Sequence, residues 1–137
     1  MITFRYTFAS NDLPIEYTNW GPKSPGDQPS VDNCVLVNDK VWDAVCCQLG
    51  NIAMPLCEEQ PVQGCKAEPQ YETIRGRCFY FGNQPKNYTD AIADCESKGG
   101  RLFEPRSSEA NQLVYERMRN SVSIPFWIGV NARDNGT

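Results

Sequence analysis

The side chains best suited to chemistry in this sequence are seven cysteines and scattered carboxylates, and the sequence contains no histidine. Without histidine the commonest general base is missing, and Ser-His-Asp and Cys-His arrangements are excluded. We interpret the carboxylates of Glu16, Asp94 and Glu104 as solvated surface. The sequence therefore predicts a protein that is not an enzyme.

The number of cysteines indicates the cellular compartment in which the protein folds. Seven cysteines in 137 residues are typical of an oxidising environment. Zinc is the competing interpretation, but the sequence has neither a Cys-x-x-Cys pair nor a histidine, the usual zinc ligands. The start of the chain lacks the basic and apolar segments of a secretory signal, so we expect that Met1 was added for expression of a secreted domain. Two Asn-x-Thr sequons, at Asn87 and Asn135, predict glycosylation.

Oxygen-bearing side chains gather in and after a Pro- and Gly-rich loop at residues 21–30. Asp27, Asp32, Asn33 and Asp43 could surround a cation, because Ca²⁺ prefers carboxylate and amide oxygens. An acidic loop is more often simply hydrated, so both interpretations stay open. The net charge of −4 and the scattered basic residues predict no nucleic-acid partner. No apolar run is long enough to predict a membrane span.

Hydrophobic patterning predicts strands on both sides of two consecutive helices. Strands are expected at residues 2–8, 13–17, 34–37, 40–42, 53–57, 77–81 and 126–130. A first helix is predicted at 89–98 with Thr89 as N-cap, and a second from Ser107 or Ser108 to about Arg119. Its inward residues are predicted to be Ala110, Leu113, Val114 and Met118. Consecutive helices argue against parallel βαβ units, so the sequence predicts a single α+β domain.

Trp127-Ile128-Gly129-Val130 forms a predicted strand that follows the two predicted helices. This motif resembles the Trp-Ile-Gly-Leu strand of the C-type lectin-like domain, which follows two helices as well, and several other motifs resemble that family in rotated order. Residues 65–137 match the family's first half, and residues 2–57 match its second half. The resemblance implies a disulfide-stabilised fold of two helices, small antiparallel sheets and a long irregular loop.

The reversed order of the halves implies one circularly permuted domain over residues 1–137, with 58–64 as the linker between the family's usual ends. The last strand would then pair with the first, placing Phe4-Arg5-Tyr6 opposite Trp127-Ile128-Gly129. A segment cut from two tandem domains is the alternative, and it would fold only by swapping halves between chains. A monomer, a swapped dimer and a crosslinked dimer all stay open.

The family's disulfide pattern implies three bonds in this sequence. They are Cys65–Cys78, Cys57–Cys95 and Cys34–Cys47. Cys46 is left over as a free thiol. It is interpreted as buried and inert, as an alternative partner in place of Cys47, or as a crosslink between two chains.

The resemblance also locates the family's calcium ligands, most of which this sequence has lost. Ser24-Pro25-Gly26 stands where the family has Glu-Pro-Asn, and Asp32-Asn33 stands where it has the Glu before the cysteine. Trp42-Asp43-Ala44 replaces Trp-Asn-Asp, and on a strand the shift of Asp by one residue turns its carboxylate to the other face. Gln28-Pro29-Ser30 resembles a galactose-type motif but lies too close to Cys34. The cofactor is therefore predicted to be either none or Ca²⁺, the latter held by Asp32, Asn33 and Asp43.

These observations predict a secreted recognition module that binds an extracellular protein or glycan without a standard calcium site. The predicted contact residues are Ser24, Pro25, Gly26, Asp27, Gln28, Asp32, Asn33 and Asp43. Loops on a rigid scaffold commonly carry such recognition. A calcium-dependent carbohydrate-binding lectin and a structural domain without a ligand are the two alternatives.

Overall fold

The protein combines eight strands with two helices in the part of the chain that the structure describes. The structure is a computed structural model, and it describes residues 6–22, 24, 32–38, 40–59, 65–118 and 125–132. The strands are β1 (Thr7–Phe8), β2 (Asn33–Asn38), β3 (Val41–Cys46), β4 (Met54–Glu59), β5 (Tyr71–Ile74), β6 (Arg77–Phe81), β7 (Gly100–Leu102) and β8 (Phe126–Ala132). The helices are α1 (Tyr88–Ser97) and α2 (Ser108–Met118).

All the strands belong to one mixed sheet. Its order is β3-β2-β8-β4-β6-β5, with β1 added to β8 and β7 added to β4. The predicted α+β class is confirmed, and the antiparallel parts are joined into one mixed sheet. Strands β4 and β8 run parallel, with Met54 and Pro55 beside Phe126 and Trp127, and this pairing joins the two antiparallel parts.

Strand β8 is the centre of the fold, and all seven of its residues are buried. Because alternate side chains point to opposite faces of a sheet, Trp127 lies on one side and Ile128 and Val130 lie on the other. Residues of α1 cover the first side, and residues of α2 cover the second. Burial on both faces agrees with the continuous run of apolar residues and glycine at 126–130 of this strand.

The two sides of the sheet have separate hydrophobic cores, which we name after their tryptophans. The Trp127 face comprises Trp127, Leu36, Ala53, Tyr88, Ala91, Leu102 and the cysteines 34, 47, 57 and 95. The Trp42 face is formed around Trp42 by Tyr6, Phe8, Val35, Val37, Ala44, Val114, Tyr115, Ile128 and Val130, together with other buried residues of the same cluster. Both tryptophans are fully buried.

Three disulfides crosslink the fold, and all three predicted pairings are confirmed. They join Cys34 to Cys47, Cys57 to Cys95, and Cys65 to Cys78. Cys46 lies outside these bonds and is half-buried. Its thiol donates a hydrogen bond to Gln48 Oε1 over 3.2 Å.

The prediction that the first strand pairs with the last is confirmed, within a single chain. Strand β1 lies antiparallel to β8, with Thr7 opposite Asn131 and Phe8 opposite Val130. The predicted register, with Phe4-Arg5-Tyr6 opposite Trp127-Ile128-Gly129, is wrong. Strand β8 continues to Ala132, two residues further than the expected turn allows, and β2 and β4 occupy the positions beside Trp127. Phe4 and Arg5 lie outside the described residues.

Several predicted boundaries need correction. Strand β4 extends to Glu59, so Glu58 and Glu59 belong to the sheet and not to the linker, while residues 60–64 lie outside the described part. Residues 13–17 form no strand; only Pro14 makes an isolated bridge, to Thr7. Strands β5 and β7 were not predicted, because their few residues lack a clear alternation.

The N-cap of α1 is Asn87 and not the predicted Thr89. The Asn87 side chain accepts a hydrogen bond of 2.8 Å from the Asp90 N–H. Asn is among the preferred N-cap residues, because its oxygen satisfies an N–H of the first turn that has no partner within the helix. The cap allows Tyr88 to begin the helix and to turn its ring inward against Trp127, with ring centroids 5.2 Å apart.

Candidate functional site

The predicted ligand-binding loop is described only in part. Ser24, Asp32, Asn33 and Asp43 are placed by the structure. The remaining predicted contacts, Pro25, Gly26, Asp27 and Gln28, and the sequon at Asn135 lie outside the described residues. The geometry of the loop is therefore drawn from its first residues and from the β2–β3 hairpin.

Ser24 connects the loop to β3. Its hydroxyl donates to Asp43 Oδ1 over 3.2 Å and accepts from the Ala44 N–H over 3.3 Å. Ala44 is buried beside Trp42, whereas Asp43 lies half-buried on the other side of the strand. The Ser24 hydroxyl and one Asp43 oxygen are thus already engaged within the protein.

Asp32 and Asn33 have different environments. Asp32 accepts a hydrogen bond of 3.4 Å from the Gln48 amide, and its backbone carbonyl accepts from the Cys47 N–H. Asn33 is fully buried, and neither its Oδ1 nor its Nδ2 has a hydrogen-bond partner among the described residues. Burial raises the pKa of Tyr6, and the Asn33 amide beside it partly offsets that rise. The two side chains are therefore neighbours, although their separation or orientation falls short of a hydrogen bond.

These residues do not fit the standard calcium site that the resemblance implies. Such a site needs six to eight hard oxygens that converge on one point. Across the described ranges, no group of three or more Cys, Asp or Glu residues could hold a metal ion. Ala44 contributes a methyl group where the family has a carboxylate, and the Ser24 hydroxyl is bonded to Asp43.

A second candidate site was not predicted. It is a polar cavity of about 310 Å³ between α2, the segment around Tyr17 and the β2–β3 turn. The residues that line it are Tyr17, Asn19, Lys40, Ser108, Asn111, Gln112, Tyr115 and Glu116. Its volume lies at the lower end of the range for small-molecule sites, roughly 300–1,000 Å³.

The inner wall of this cavity is a hydrogen-bonded chain of side chains. The indole N–H of Trp42 donates to the Tyr115 hydroxyl over 2.6 Å, and the Asn111 amide donates to the Tyr17 hydroxyl over 3.0 Å. Asn111 is 2% exposed, yet its Oδ1 has no hydrogen-bond partner among the described residues. Burial raises the pKa of Tyr115, and the Trp42 hydrogen bond offsets part of that rise. The Tyr115 hydroxyl therefore stays protonated and can donate.

The sequence did contain a signal for this cavity. Of the predicted inward residues of α2, Val114 is buried, whereas Ala110 and Leu113 are only half-buried. The buried residues are Asn111, Val114 and Tyr115. Asn111 and Tyr115 are four residues apart and so lie on one face of the helix. An Asn on the apolar face of a helix indicates a polar partner nearby, because a buried amide needs hydrogen bonds.

Glu104 was predicted to be solvated surface, and this prediction is wrong. It is 3% exposed, and its carboxylate accepts from the Ser10 N–H, the Ser10 hydroxyl and Arg106. Space for it exists because Gly129 has no side chain, and a Cβ there would lie 2.8 Å from Glu104 Cγ. The carboxylate thereby connects the segment after β7 to the turn after β1.

Comparison with known proteins identifies relatives of this chain. Tetranectin from Homo sapiens is 29% identical over 101 residues, and tetranectin from Mus musculus is 37% identical over 103 residues. Each alignment covers 70% of this chain and 49% of the relative, so the chain spans about half the length of these proteins. A C-type lectin domain family 3 member A homolog from Xenopus laevis is 35% identical over 60 residues, which is 42% of this chain and 31% of that protein. The chain contains a C-type lectin-like domain.

This identification agrees with the fold. A C-type lectin-like domain has two helices, a sheet and disulfides, as the described residues do. The predicted family is confirmed, and the domain is a lectin-like recognition module. No protein-family model matches the chain, and no solved structure matches it significantly. None of the described helices is long and apolar enough to cross a membrane.

Proposed function

We propose that this C-type lectin-like domain binds an extracellular protein or glycan through its long loop, without the family's standard calcium site. The proposed contacts are the residues named from the sequence, Ser24 to Gln28 together with Asp32 and Asp43; Asn33, also named there, is fully buried and is proposed to support the loop rather than to touch the ligand. Loops held by a rigid scaffold are the usual carriers of recognition. Here the scaffold is the β2–β3 hairpin, which the Cys34–Cys47 disulfide fixes.

The Ser24 bridge is the observation that carries this proposal. A calcium ion would need the Ser24 position and the Ala44 position to supply oxygens, as Glu and Asp do in the family. Instead the Ser24 hydroxyl closes onto Asp43 and the Ala44 N–H. These contacts attach Ser24 to β3 without a metal, which supports recognition that does not depend on calcium.

Calorimetric titration of the domain with Ca²⁺ tests the proposal. We expect no saturable heat at millimolar calcium and the same melting temperature in calcium as in EDTA. Binding with a Kd near 10⁻³ M or tighter, in the range of extracellular calcium modules, would favour the calcium-dependent carbohydrate-binding lectin instead. A glycan array probed in EDTA and in calcium then separates metal-dependent sugar binding from metal-independent recognition.

A variant that restores the family's ligands provides a positive control. The changes are Ser24→Glu, Gly26→Asn, Asp43→Asn and Ala44→Asp. We expect this variant to gain saturable calcium binding and a calcium-dependent rise in melting temperature, since a ligand that binds only the folded state stabilises it. If the parent and the variant bind calcium equally, the substituted positions do not limit binding, and the proposal fails.

We also propose that residues 65–137 and 2–57 are the family's two halves in circularly permuted order, joined at 58–64. The pairing of β1 with β8 supports this order, because the family's halves would meet at that point. A rearranged chain that begins at Cys65 and joins residue 137 directly to residue 2 tests it. We expect the same three disulfides and the same near-ultraviolet circular dichroism, whereas failure of this chain to fold would contradict the proposed order.

We also propose that the protein is secreted. Three disulfides suit an oxidising compartment. Asn87 is half-buried at the start of α1, and its amide nitrogen donates to the Asp90 carboxylate over 3.2 Å. A glycan at Asn87 remains a prediction, which mass spectrometry of the protein secreted from animal cells can check by a mass shift lost in Asn87→Gln.

A further inference from the structure

The polar cavity beside α2 is distinct from the predicted loop and has features of a binding site. Its inner end is closed by Asn111 and Tyr115, which are 2% and 5% exposed. The Asn111 Oδ1 atom is buried without a hydrogen-bond partner among the described residues. Buried polar groups are nearly always satisfied, so an exception needs a physical explanation. A ligand or a water molecule that donates to this oxygen would supply one.

The hydroxyls of Tyr17 and Tyr115, in the inner wall, each have an O–H that is not used as a donor in the described contacts. In the described contacts the Tyr17 hydroxyl accepts from Asn111, and the Tyr115 hydroxyl accepts from Trp42. A phenolic O–H is also a donor. Each of these hydroxyls can therefore donate its proton to an acceptor that enters the cavity.

Opposite charges stand at the rim of the cavity. Lys40 projects from the β2–β3 turn and Glu116 from α2, and both are exposed. Neither forms an ion pair with a described residue, although the Lys40 backbone is held by the Asn19 amide, which donates to its carbonyl over 2.7 Å. One cation and one anion at the same opening disfavour a ligand of large net charge and favour a ligand that carries both signs.

We infer that this cavity binds a small zwitterion of the α-amino-acid type. The ligand carboxylate accepts from the Tyr17 and Tyr115 hydroxyls and faces Lys40. The ligand ammonium faces Glu116 and donates to Asn111 Oδ1 once that side chain turns its buried oxygen towards the cavity. This arrangement gives a role to every unmatched polar group of the wall, and the volume of about 310 Å³ suits a single small molecule.

Nuclear magnetic resonance titration of the ¹⁵N-labelled domain in EDTA tests the inference. The probe is L-serine, compared with serinamide, which lacks the carboxylate, and N-acetylserine, which lacks the ammonium. We expect saturable shifts of the Asn111, Asn19 and Gln112 side-chain amides with L-serine. Each analogue should bind at least tenfold more weakly, because a charge-assisted hydrogen bond contributes about tenfold or more. EDTA keeps any calcium-dependent binding at the loop out of the measurement.

Variants at the rim separate binding from folding, because exposed charges contribute little to stability. Lys40→Asn removes the cation, and Asn tolerates the positive φ of 70° at this position. Glu116→Gln removes the anion. We expect each to weaken L-serine binding by about twofold to fivefold. Glu109→Gln, on the same helix but outside this cavity, is the matched control and should leave binding unchanged.

Asn111→Leu tests the inner wall of the cavity, because it removes the buried amide. It should abolish the L-serine shifts while the folded spectrum persists. The inference is overturned if L-serine gives no saturable shift in the parent domain. It is also overturned if glycerol or glucose binds as tightly as L-serine, because a neutral polyol would then be the better ligand. Equal binding of L-serine to the parent, Lys40→Asn and Glu116→Gln would likewise contradict it.

Discussion

The two faces of the sheet use similar aromatic pairs but differ in how they are held. On the Trp127 face, Trp127 packs edge-to-face against Tyr88, and both the Cys34–Cys47 and Cys57–Cys95 disulfides lie in the same cluster. On the Trp42 face, Trp42 packs edge-to-face against Tyr17 at 5.8 Å, and that cluster contains no cysteine. One face is crosslinked covalently, and the other depends on packing and hydrogen bonds.

The faces also differ in their buried polar groups. On the Trp127 side, the Asn131 amide donates to the Tyr88 hydroxyl over 3.1 Å, and that hydroxyl donates to the Ile128 carbonyl. On the Trp42 side, the Tyr6 hydroxyl, the Asn33 amide and Asn111 Oδ1 have no hydrogen-bond partner among the described residues. Unpaired buried groups are costly, and they cluster where a site is present. Glu59 Oε1, at the end of β4 on the side of Cys57, is a further buried atom without a partner in the described part of the chain. The comparison predicts that loss of a crosslink is the costly change on the Trp127 face, and that loss of a hydrogen-bond partner is the costly change on the Trp42 face.

Removal of the Cys57–Cys95 disulfide, the longer-range crosslink of the Trp127 face, should have the largest effect. The bond closes a sequence separation of 38 residues between two fully buried cysteines. We expect Cys57→Ala/Cys95→Ala to lower the free energy of unfolding by about 4 kcal/mol, measured by urea denaturation. Cys65→Ala/Cys78→Ala, with a separation of 13, should cost about 3 kcal/mol. A larger loss from the second pair would contradict the proposed role of the Trp127 face.

The two tryptophans allow a direct comparison of the faces. Trp42→Phe leaves the buried Tyr115 hydroxyl without its donor, which should cost about 1–3 kcal/mol beyond the lost packing. Trp127→Phe leaves the Lys86 carbonyl without its donor. Water can replace that donor, because Lys86 is only half-buried. We therefore expect Trp42→Phe to lower the free energy of unfolding more.

The double variant Trp42→Phe/Tyr115→Phe isolates this hydrogen bond. Removing both partners should recover part of the loss, because no buried hydroxyl is then left unpaired. In urea denaturation, the double variant could instead lose as much free energy of unfolding as the two single variants together. That result would show that the Trp42–Tyr115 hydrogen bond does not cause the loss in Trp42→Phe.

Glu104 lies against Gly129, on the Trp127 side of β8. Its substitution should have a smaller effect on the free energy of unfolding. Glu104→Gln keeps the shape but places an amide NH₂ group beside donors that now face a carboxylate. We expect a loss of about 1–3 kcal/mol in the free energy of unfolding. Glu109→Gln removes an exposed ion pair with Arg75 and should change it by less than about 1 kcal/mol. Equal effects would mean that the buried carboxylate contributes no more than an exposed one.

The smallest effect concerns the pH dependence that Glu59, at the end of β4, gives to the free energy of unfolding. Burial raises the pKa of the Glu59 carboxyl above its ordinary value of 4.5, partly offset by Lys66. Folding therefore favours the protonated form, and the stabilisation is present below pH 4.5 and lost as pH rises through the raised pKa. Glu59→Gln should flatten this dependence, so its stability relative to the parent should increase between about pH 4 and about pH 7. A constant difference across that range in urea denaturation would contradict the assignment.

Much of the framework could be predicted from the sequence, because its signals are local or come from the family resemblance. Helix α2 begins where its Ser residues indicate, and the three cysteine pairs follow the family pattern. The parallel contact of β4 with β8 and the register of β1 could not be predicted. They depend on non-local packing around Trp127 that strand periodicity does not encode.

The candidate site was harder to predict than the framework. Asp43 could be placed on its face of β3 from the alternation of the strand. The burial of Glu104 and of Asn111 could not, because each depends on a partner far along the chain, Ser10 for the first and Tyr17 for the second. A polar residue is assigned to the surface by default, and only three-dimensional proximity reverses that assignment.

The parallel contact between β4 and β8 has a mechanical consequence. It comprises two residue pairs, and one of its members, Pro55, has no N–H to donate. The two antiparallel parts of the sheet are therefore joined by this short pairing and by Phe103, whose N–H donates to the Leu56 carbonyl and whose carbonyl accepts from the Gly129 N–H. We expect the amide protons of Met54 and Trp127 to exchange with solvent sooner than those in the middle of β2, because few hydrogen bonds hold this junction.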